Sequence, residues 1–79
     1  MKILYFAHVA QAVGRREDNL DVSAPVTAEA LWDRLLVLRP ALAPYRASIY
    51  LARNRAYATG DDQFLNDDEV ALLPPVSGG

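Results

Sequence analysis

The sequence predicts an α+β fold in which one mixed β-sheet packs against a single main helix. Its two most continuously apolar segments, "KILYFAH" and "EVALL", stand near opposite ends of the chain, and one long amphipathic helix pattern separates them. Shorter alternating patterns flank that helix on both sides, as expected for hairpins. Because 79 residues support only one hydrophobic core, we expect a single domain over residues 1–75 and a short flexible tail over residues 76–79.

The first strand is predicted in "KILYFAH", since β-branched and aromatic residues are enriched in strands. Ile3 and Tyr5 fall on one face of this strand, and Leu4 and Phe6 fall on the other. Apolar side chains on both faces are typical of a central strand. The following "VAQAVG" predicts one short helix that ends at Gly14, because glycine readily adopts the left-handed conformation that closes a helix.

A second strand is predicted at residues 20–23. Leu20 and Val22 alternate there with Asp21 and Ser23, and such alternation is typical of a strand with one buried face. The preceding "RREDN" is interpreted as a solvated turn. We therefore expect the second strand to pair back on the first.

The main helix is predicted in "APVTAEALWDRLLVLRP". Thr27 is a favourable N-cap, and Glu29 complements the positive end of the helix dipole. Val26 and Leu31 have the spacing of a hydrophobic staple. The apolar stripe of this helix consists of Leu31, Trp32, Leu35, Leu36 and Leu38. Pro40 ends the helix and leaves "PALAPY" as an irregular or single-turn segment.

The C-terminal part predicts a hairpin in "ASIYLARNRAYATG", with its turn at residues 53–55, and a last strand in "EVALL". The segment "DDQFLNDDEV" between them is interpreted as a polar loop. Since the first and last strands are the most apolar, we expect them to lie side by side and parallel at the centre of the sheet. This arrangement is the ubiquitin-like β-grasp.

Composition excludes several classes of function. There is no cysteine, so the chain has neither disulfides nor a thiol nucleophile. A net charge of −2 and a single lysine, Lys2, argue against nucleic-acid and membrane partners. The N-terminal apolar run is too short for a signal sequence or a membrane span. We expect a cytoplasmic protein.

Several isolated polar residues are interpreted as structural or solvated. His8 has no catalytic or metal-ligating companion in the sequence, and Arg15 with Arg16 forms a solvated turn that an acidic partner could contact. Arg53 and Asn54 are expected to form the hairpin turn. The acidic cluster lacks the spacing of a calcium loop and is expected to be a solvated loop or to steer a basic partner: Asp61, Asp62, Asp67, Asp68 and Glu69. No metal site is predicted.

The chain resembles the MoaD family, the small sulfur-carrying subunits of molybdopterin synthases, over nearly its whole length. The resemblance rests on "KILYFAHVAQAVG", "TAEALWDRL", "ARN" and above all "DEVALLPPVSGG". A terminal Gly-Gly alone is shared by ubiquitin-like proteins generally, whereas "PPVS" after a strand and before Gly-Gly is more specific. This chain has "NDD" where the family often places Asp-Gly before the last strand, which leaves the geometry of that loop open.

The resemblance implies that the C-terminal carboxylate of Gly79 is the reactive group, with Gly78 beside it. An E1-like adenylyltransferase would activate it with ATP, and sulfur delivery would make a thiocarboxylate. The tail would then enter the large subunit of molybdopterin synthase and donate sulfur to cyclic pyranopterin monophosphate. The active site, and so the catalytic groups, would belong to that subunit. The chain itself would be a non-catalytic sulfur donor that binds no cofactor.

Physical properties of the tail agree with such a role. A carboxylate is a poor electrophile until an adenylate supplies a better leaving group, and glycines without Cβ atoms fit a narrow channel. Pro74 and Pro75 favour an extended backbone, and six residues span at most roughly 20 Å. We expect Val76 to contact the partner's channel and Ser77 to be small enough to pass.

Three apolar residues are predicted to dock on the partners. Phe6, Tyr57 and Leu73 fall on the parity opposite to the expected core set of Ile3, Tyr5, Val70 and Leu72. An exposed apolar patch of this kind marks an interface. The resemblance implies that this face docks on the large subunit, and we expect it to serve the activating enzyme and the large subunit in turn. Together with residues 74–77, these three are the predicted partner-binding residues.

Two alternatives remain open at this point. The chain could carry sulfur for thiamine or cysteine synthesis, which would need a different partner. It could also be a ubiquitin-like modifier that attaches to lysines of other proteins, because activation of the carboxylate is common to both uses.

Overall fold

The computed structural model describes residues 1–75 of the chain. These residues form two sheets, two α-helices and one 3-10 helix. In chain order the elements are β1 (Lys2–Tyr5), α1 (Ala7–Val13), β2 (Glu17–Asn19), β3 (Val26–Thr27), α2 (Ala28–Leu38), the 3-10 helix (Pro40–Tyr45), β4 (Tyr50–Arg53), β5 (Ala56–Tyr57), β6 (Gln63–Phe64) and β7 (Glu69–Leu73).

The main sheet has five strands in the order β2-β1-β7-β4-β5. β1 and β7 pair in parallel, with Ile3 opposite Val70 and Tyr5 opposite Leu72, whereas the other three pairings are antiparallel. The first and last strands therefore lie side by side near the centre of a mixed sheet, as predicted. This order, with α2 across one face, is the β-grasp fold.

The core lies between α2 and one face of the sheet. Ile3, Tyr5, Val70 and Leu72, the four residues predicted to face inward, are all buried. They pack in one cluster with the stripe of α2 and with residues from the surrounding segments: Met1, Val9, Leu20, Val22, Leu31, Trp32, Leu35, Leu42, Leu51 and Phe64. The alternation predicted for the two central strands is confirmed.

The main helix begins where the sequence predicts. The Thr27 side-chain oxygen accepts a hydrogen bond of 3.1 Å from the backbone N–H of Ala30, which satisfies one of the free donors at the helix start. Glu29 lies in the first turn. After Leu38 the chain continues into the 3-10 helix with Pro40 at its start. Within residues 1–75, neither α-helix has the length and apolarity needed to cross a bilayer.

The first helix begins earlier than predicted. β1 ends at Tyr5 and α1 starts at Ala7, two residues before the "VAQAVG" segment. Phe6 has extended backbone angles, and Ala7 has a φ of 52°, so the chain turns sharply from strand into helix. Gly14, with a φ of 84°, closes the helix as predicted. The extended conformation of Phe6 continues the alternation of β1 and directs its side chain away from the core.

The second strand pairs back on the first as predicted, but not at residues 20–23, and only Arg15 and Arg16 of the predicted turn form an exposed bend. β2 is formed by residues 17–19, within "RREDN", and pairs antiparallel with β1. Residues 20–23 form a loop, although Leu20 and Val22 are buried. Non-local partners satisfy the backbone of this loop, since the N-terminal ammonium donates to the Leu20 carbonyl at 2.8 Å and the Val22 N–H donates to Asn66 Oδ1 at 2.9 Å.

A second, two-stranded sheet was not predicted. Val26 pairs with Phe64 and Thr27 with Gln63, so part of the expected polar loop is a short strand. Phe64 is completely buried in the core cluster. The pairing joins the entrance of α2 to the segment that precedes β7.

A buried carboxylate braces β1, β2 and the end of α2. Asp18 accepts a hydrogen bond of 2.7 Å from the Tyr5 hydroxyl and two of 2.8 Å from the Arg39 guanidinium, and Arg15 lies 3.3 Å away. The hydrogen bonds from Arg39 hold the pKa of Asp18 below its ordinary value, against the opposing effect of burial. Burial and the bond to Asp18 raise the pKa of Tyr5. Asp18 is therefore charged while Tyr5 is neutral near neutral pH.

We predict that D18N lowers the free energy of unfolding at pH 7 by about 2 kcal/mol, because the amide leaves the Arg39 guanidinium without its anion. Since the carboxylate pKa is depressed in the folded state, its contribution is present at neutral pH and is lost as the pH falls below about 4. When the free energy of unfolding is measured with urea from neutral pH to below about 4, it should fall less steeply with decreasing pH in the variant than in the wild type.

The control is D33N, which removes an exposed carboxylate that pairs with Arg46 at 3.3 Å. Exposed ion pairs contribute little, so this variant should unfold almost as the wild type does at every pH. Equal effects of the two variants would contradict the structural role of Asp18.

Candidate functional site

β7 leads from the centre of the sheet to the C-terminal segment. Its last residue, Leu73, pairs with Tyr50 of β4, and Leu72 pairs with Tyr5 of β1. Pro74 and Pro75 follow outside any helix or strand, and Pro74 is half-buried while Pro75 is exposed. Proline lacks the N–H needed to continue the ladder, so the strand ends here.

Gly79 and Gly78, predicted as the reactive terminus, and Val76 and Ser77, predicted as partner contacts, lie outside the described residues. Their roles stay predictions.

The face of the main sheet that points away from α2 carries a shallow groove of about 380 Å³. We call this surface the open face. Its apolar lining comes from four strands and from the residue after β1: Leu4, Phe6, Ala52, Tyr57, Ala71 and Leu73. The register explains the grouping, because Leu4 lies opposite Ala71 and Ala71 lies opposite Ala52, which in turn pairs with Tyr57.

The structure brings the three predicted docking residues together. Phe6, Tyr57 and Leu73 all line the groove of the open face, with Phe6 44% and Tyr57 70% exposed. Large aromatic side chains with this much free surface are typical of interfaces. Their placement agrees with the prediction, whereas their binding role stays a prediction.

The sequence prediction missed Tyr50, which extends the same apolar surface. Tyr50 is 58% exposed, and its ring meets that of Tyr57 edge-to-face with 6.1 Å between centroids. It lies opposite Leu73 in the β4–β7 pairing. The signal was available, because Tyr50 has the parity opposite to Leu51, which faces the core. Small side chains at Ala52 and Ala71 form the floor between the aromatic residues.

Two opposite charges border the groove. Arg55 and Glu69 both contribute to its lining, beside otherwise apolar side chains. An apolar centre with a charged rim is the usual anatomy of a protein–protein interface. The open face is therefore suited to docking a partner surface beside the point where β7 releases the tail.

The start of β7 is fixed by a second buried carboxylate. Asp68 accepts hydrogen bonds from Arg53 Nε at 2.5 Å, from Asn54 Nδ2 at 3.0 Å and from the Leu65 N–H at 2.7 Å. Asn54, which has a φ of 51° in the turn between β4 and β5, also accepts from the Glu69 N–H at 2.9 Å. These contacts join the turn, the loop and the first residue of β7.

The interpretation of the acidic cluster needs correction at this residue. Asp68 is 5% exposed and structural, so it does not belong to a solvated loop. Burial acts to raise its pKa, but the hydrogen bonds from Arg53, the Leu65 N–H and Asn54 outweigh burial and hold the pKa below its ordinary value. Asn54 forms the hairpin turn as predicted, and Arg53, the last residue of β4, serves chiefly as a partner of Asp68.

The remaining predicted polar residues are dispersed. His8 is exposed on α1, with its ring 5.6 Å from that of Tyr45. Asp61 and Asp67 are exposed, and Asp62 accepts a hydrogen bond from the Thr59 N–H within its own turn. Over the described range 1–75, no three His, Cys, Asp or Glu side chains are gathered closely enough to hold a metal ion.

Comparison with known proteins identifies relatives over the whole chain. A sequence profile of the ThiS family matches residues 3–79. The human molybdopterin synthase sulfur carrier subunit is 35% identical over 82 residues, an alignment that covers 100% of this chain and 93% of the human protein. The protein of the same name from Caenorhabditis briggsae is also 35% identical, over 100% of this chain and 96% of its own length.

A solved structure agrees closely with the fold. SAMP1 from Haloferax volcanii superposes with a TM-score of 0.86 at 32% identity, covering 100% of this chain and 98% of that protein. The same archaeal protein is also described as a small archaeal modifier protein.

We predict that D68N lowers the free energy of unfolding by about 2 kcal/mol, because Arg53 loses its buried counter-ion and the Leu65 N–H bonds to a weaker acceptor. Hydrogen exchange should accelerate first at the backbone amides of Leu65, which donates to Asp68, and of Glu69, which donates to Asn54. The neighbouring D67N variant removes an exposed carboxylate and should change stability by less than about 0.5 kcal/mol. Unchanged exchange at both amides in D68N would show that Asp68 does not anchor β7.

Proposed function

The chain belongs to the ThiS family, and we propose that it is the sulfur-carrier subunit of a molybdopterin synthase. The names of its full-length relatives at 35% identity support this assignment. The structural observation that carries it is the placement of β7. This central strand runs directly into the segment "PPVSGG", and it leaves the sheet beside the exposed apolar groove of the open face.

The proposed reactive group is the carboxylate of Gly79. One of its oxygens attacks the α-phosphorus of ATP on an E1-like adenylyltransferase, which forms an acyl-adenylate and releases pyrophosphate. A sulfur nucleophile at the oxidation level of hydrosulfide then attacks the carbonyl carbon, and AMP leaves with the bonding electron pair of the broken C–O bond. The product is a thiocarboxylate. ATP is used by the activating partner, and no cofactor is proposed for this chain.

Delivery of sulfur requires the terminus to reach an active site on another subunit. Pro74 and Pro75 restrict the backbone before docking, which lowers the entropy lost on binding, and the absence of Cβ atoms at Gly78 and Gly79 suits a narrow channel. In the large subunit, the thiocarboxylate sulfur bonds to a carbon of cyclic pyranopterin monophosphate and displaces an oxygen substituent, and water then cleaves the acyl C–S bond, which leaves the sulfur on the pterin and restores the Gly79 carboxylate. Two carriers in succession supply both sulfur atoms of the dithiolene.

The open face is the proposed docking surface for both partners in turn. Its exposed aromatic side chains supply apolar contact area, and Arg55 and Glu69 supply a polar rim. Docking through this face sets the position of Leu73, and therefore of the tail entrance, relative to the partner. Because the same face serves the activating enzyme and the large subunit, the two partners bind in alternation.

A second candidate function is protein modification. The 32% identical SAMP1 structure, whose protein is also described as a small archaeal modifier, favours it. In that case the activated carboxyl of Gly79 would form an amide with a lysine of another protein instead of accepting sulfur. The full-length relatives named as sulfur carriers favour the first proposal.

Intact-mass analysis distinguishes the two functions. We expect protein purified from cells that retain the activating enzyme to include a species in which one carboxyl oxygen is replaced by sulfur. Deleting Gly79 should abolish this species and all sulfur transfer, while the thermal unfolding curve and the affinity for the large subunit stay close to those of the wild type.

Deleting Gly79 should not affect folding, because every residue of the hydrophobic core described above lies within residues 1–75. Sulfur transfer by the shortened chain would refute a reactive Gly79. Detection only of unmodified chain and of adducts on other proteins would favour the modifier.

The docking role is tested by Y57S. We expect this variant to bind the large subunit at least about tenfold more weakly, because exposed aromatic residues at the centre of an interface dominate its affinity. Isothermal titration calorimetry, in which the carrier variant is titrated into the separate large subunit, measures the dissociation constant. The matched control is V37S, which removes an apolar side chain that is 83% exposed on α2, and it should bind as the wild type does. Equal affinities for the two variants would rule out docking through the open face.

A further inference from the structure

A second concavity lies beside the open face, between α1 and the start of β2. We call it the α1 groove; its volume is about 810 Å³. Its lining includes the apolar residues Leu4, Phe6, Ala7 and Ala10, together with Tyr5. Leu4 and Phe6 also line the groove of the open face, so the two depressions share a ridge and form one continuous surface.

The rim of the α1 groove is basic although the chain as a whole is acidic. Arg15, Arg16 and Glu17 line it, which leaves an excess of one positive charge, whereas the chain carries a net charge of −2. Arg15 lies 3.3 Å from Asp18 but its side chain is 52% exposed. Arg16 is exposed and forms no ion pair among residues 1–75. Within the described part of the chain, Arg16 has no carboxylate partner and Arg15 is only partly engaged, so both guanidinium groups face the solvent at the edge of an apolar concavity.

The topology places these arginines at the end of the sheet from which the tail leaves. The Arg16 carbonyl accepts a hydrogen bond of 2.8 Å from the Tyr5 N–H, and Tyr5 pairs with Leu72 of β7. β2 and β7 are separated by β1 alone, so the rim lies about 10 Å across the sheet from the tail exit.

We propose that the α1 groove docks an acidic segment of the large subunit, one that carries apolar side chains for the groove floor and carboxylates for Arg15 and Arg16. The inference rests on the proposed function, and it extends the docking surface past Phe6 to the far side of the tail exit. Two observations carry it: the groove shares Leu4 and Phe6 with the open face, and its lining exposes the guanidinium groups of Arg15 and Arg16, which carboxylates would complement.

This second contact fixes the orientation of docking. The open face alone presents one cation and one anion beside apolar side chains, which leaves rotation about the contact weakly specified. The exposed guanidinium groups of Arg15 and Arg16 add a charged contact at the tail end of the surface, and two separated contacts restrict that rotation. An acidic segment beside the partner's channel selects the orientation in which the tail points into that channel.

Charge reversal at Arg16 tests the proposal on the full-length chain and the large subunit. We expect R16E to bind about fivefold to tenfold more weakly than the wild type at about 0.05 M salt, with the difference shrinking at about 0.5 M salt as screening shortens the range of the charge. The control is R34E, which makes the same change of net charge on the exposed surface of α2, and we expect less than a twofold effect. Thermal unfolding of both variants verifies that each is folded.

A steric variant tests the groove itself. Gln11 is exposed on the rim, and Q11W fills the concavity without changing charge, so it should weaken binding by about tenfold at both salt concentrations. Unchanged affinity in R16E or Q11W, or an equal loss in R16E and R34E, overturns the proposal. The Y57S variant distinguishes an incorrect assignment of the α1 groove from an incorrect proposed function. Weakened binding of Y57S with normal binding of R16E and Q11W rejects the α1 groove alone, and a wild-type chain that does not bind the large subunit rejects the proposed function.

Discussion

The parallel pairing of β1 with β7 is the interaction on which the rest of the molecule depends. Both strands are apolar on both faces, so their register decides which side chains meet α2 and which form the open face. Ile3 beside Val70 and Tyr5 beside Leu72 complete the core, and Leu4 beside Ala71 forms the outer surface. A slip of one residue would exchange the two faces. The same pairing brings the end of β7, and hence the tail, next to Phe6.

Two buried carboxylates hold the strands of this pair in place, one at the start of β7 and one beside β1. Asp68 fixes the start of β7 through Arg53, Asn54 and the Leu65 N–H, and Asp18 fixes β2 and the end of α2 to the Tyr5 hydroxyl. Buried ion pairs contribute less net stability than their short distances suggest, because desolvation opposes them. Their fully satisfied hydrogen bonds nevertheless specify one arrangement, since any other would leave a buried charge unpaired.

The sequence alone located those elements whose own residues carry a cap, an apolar stripe or an apolar run. The Thr27 cap, the stripe of α2, and the two doubly apolar strands were all located correctly, and the parity of Phe6, Tyr57 and Leu73 identified the open face. The errors share one cause, which is dependence on distant partners. Asp18 occupies a buried strand position only because Tyr5 and Arg39 satisfy its carboxylate. The two-residue pairing of β3 with β6 is likewise too short to leave a periodic pattern.

The edges of the main sheet offer little opportunity for pairing with a strand from another molecule. β2, at one edge, has three residues, of which Glu17 and Asn19 are exposed and polar, and β5, at the other edge, has only two. Short edges offer few unpaired backbone groups to a strand from another molecule. The long, apolar strands are paired on both sides in the interior of the sheet. The molecule can therefore keep an exposed apolar surface available for its partners, while its sheet edges leave few backbone groups for edge-to-edge aggregation.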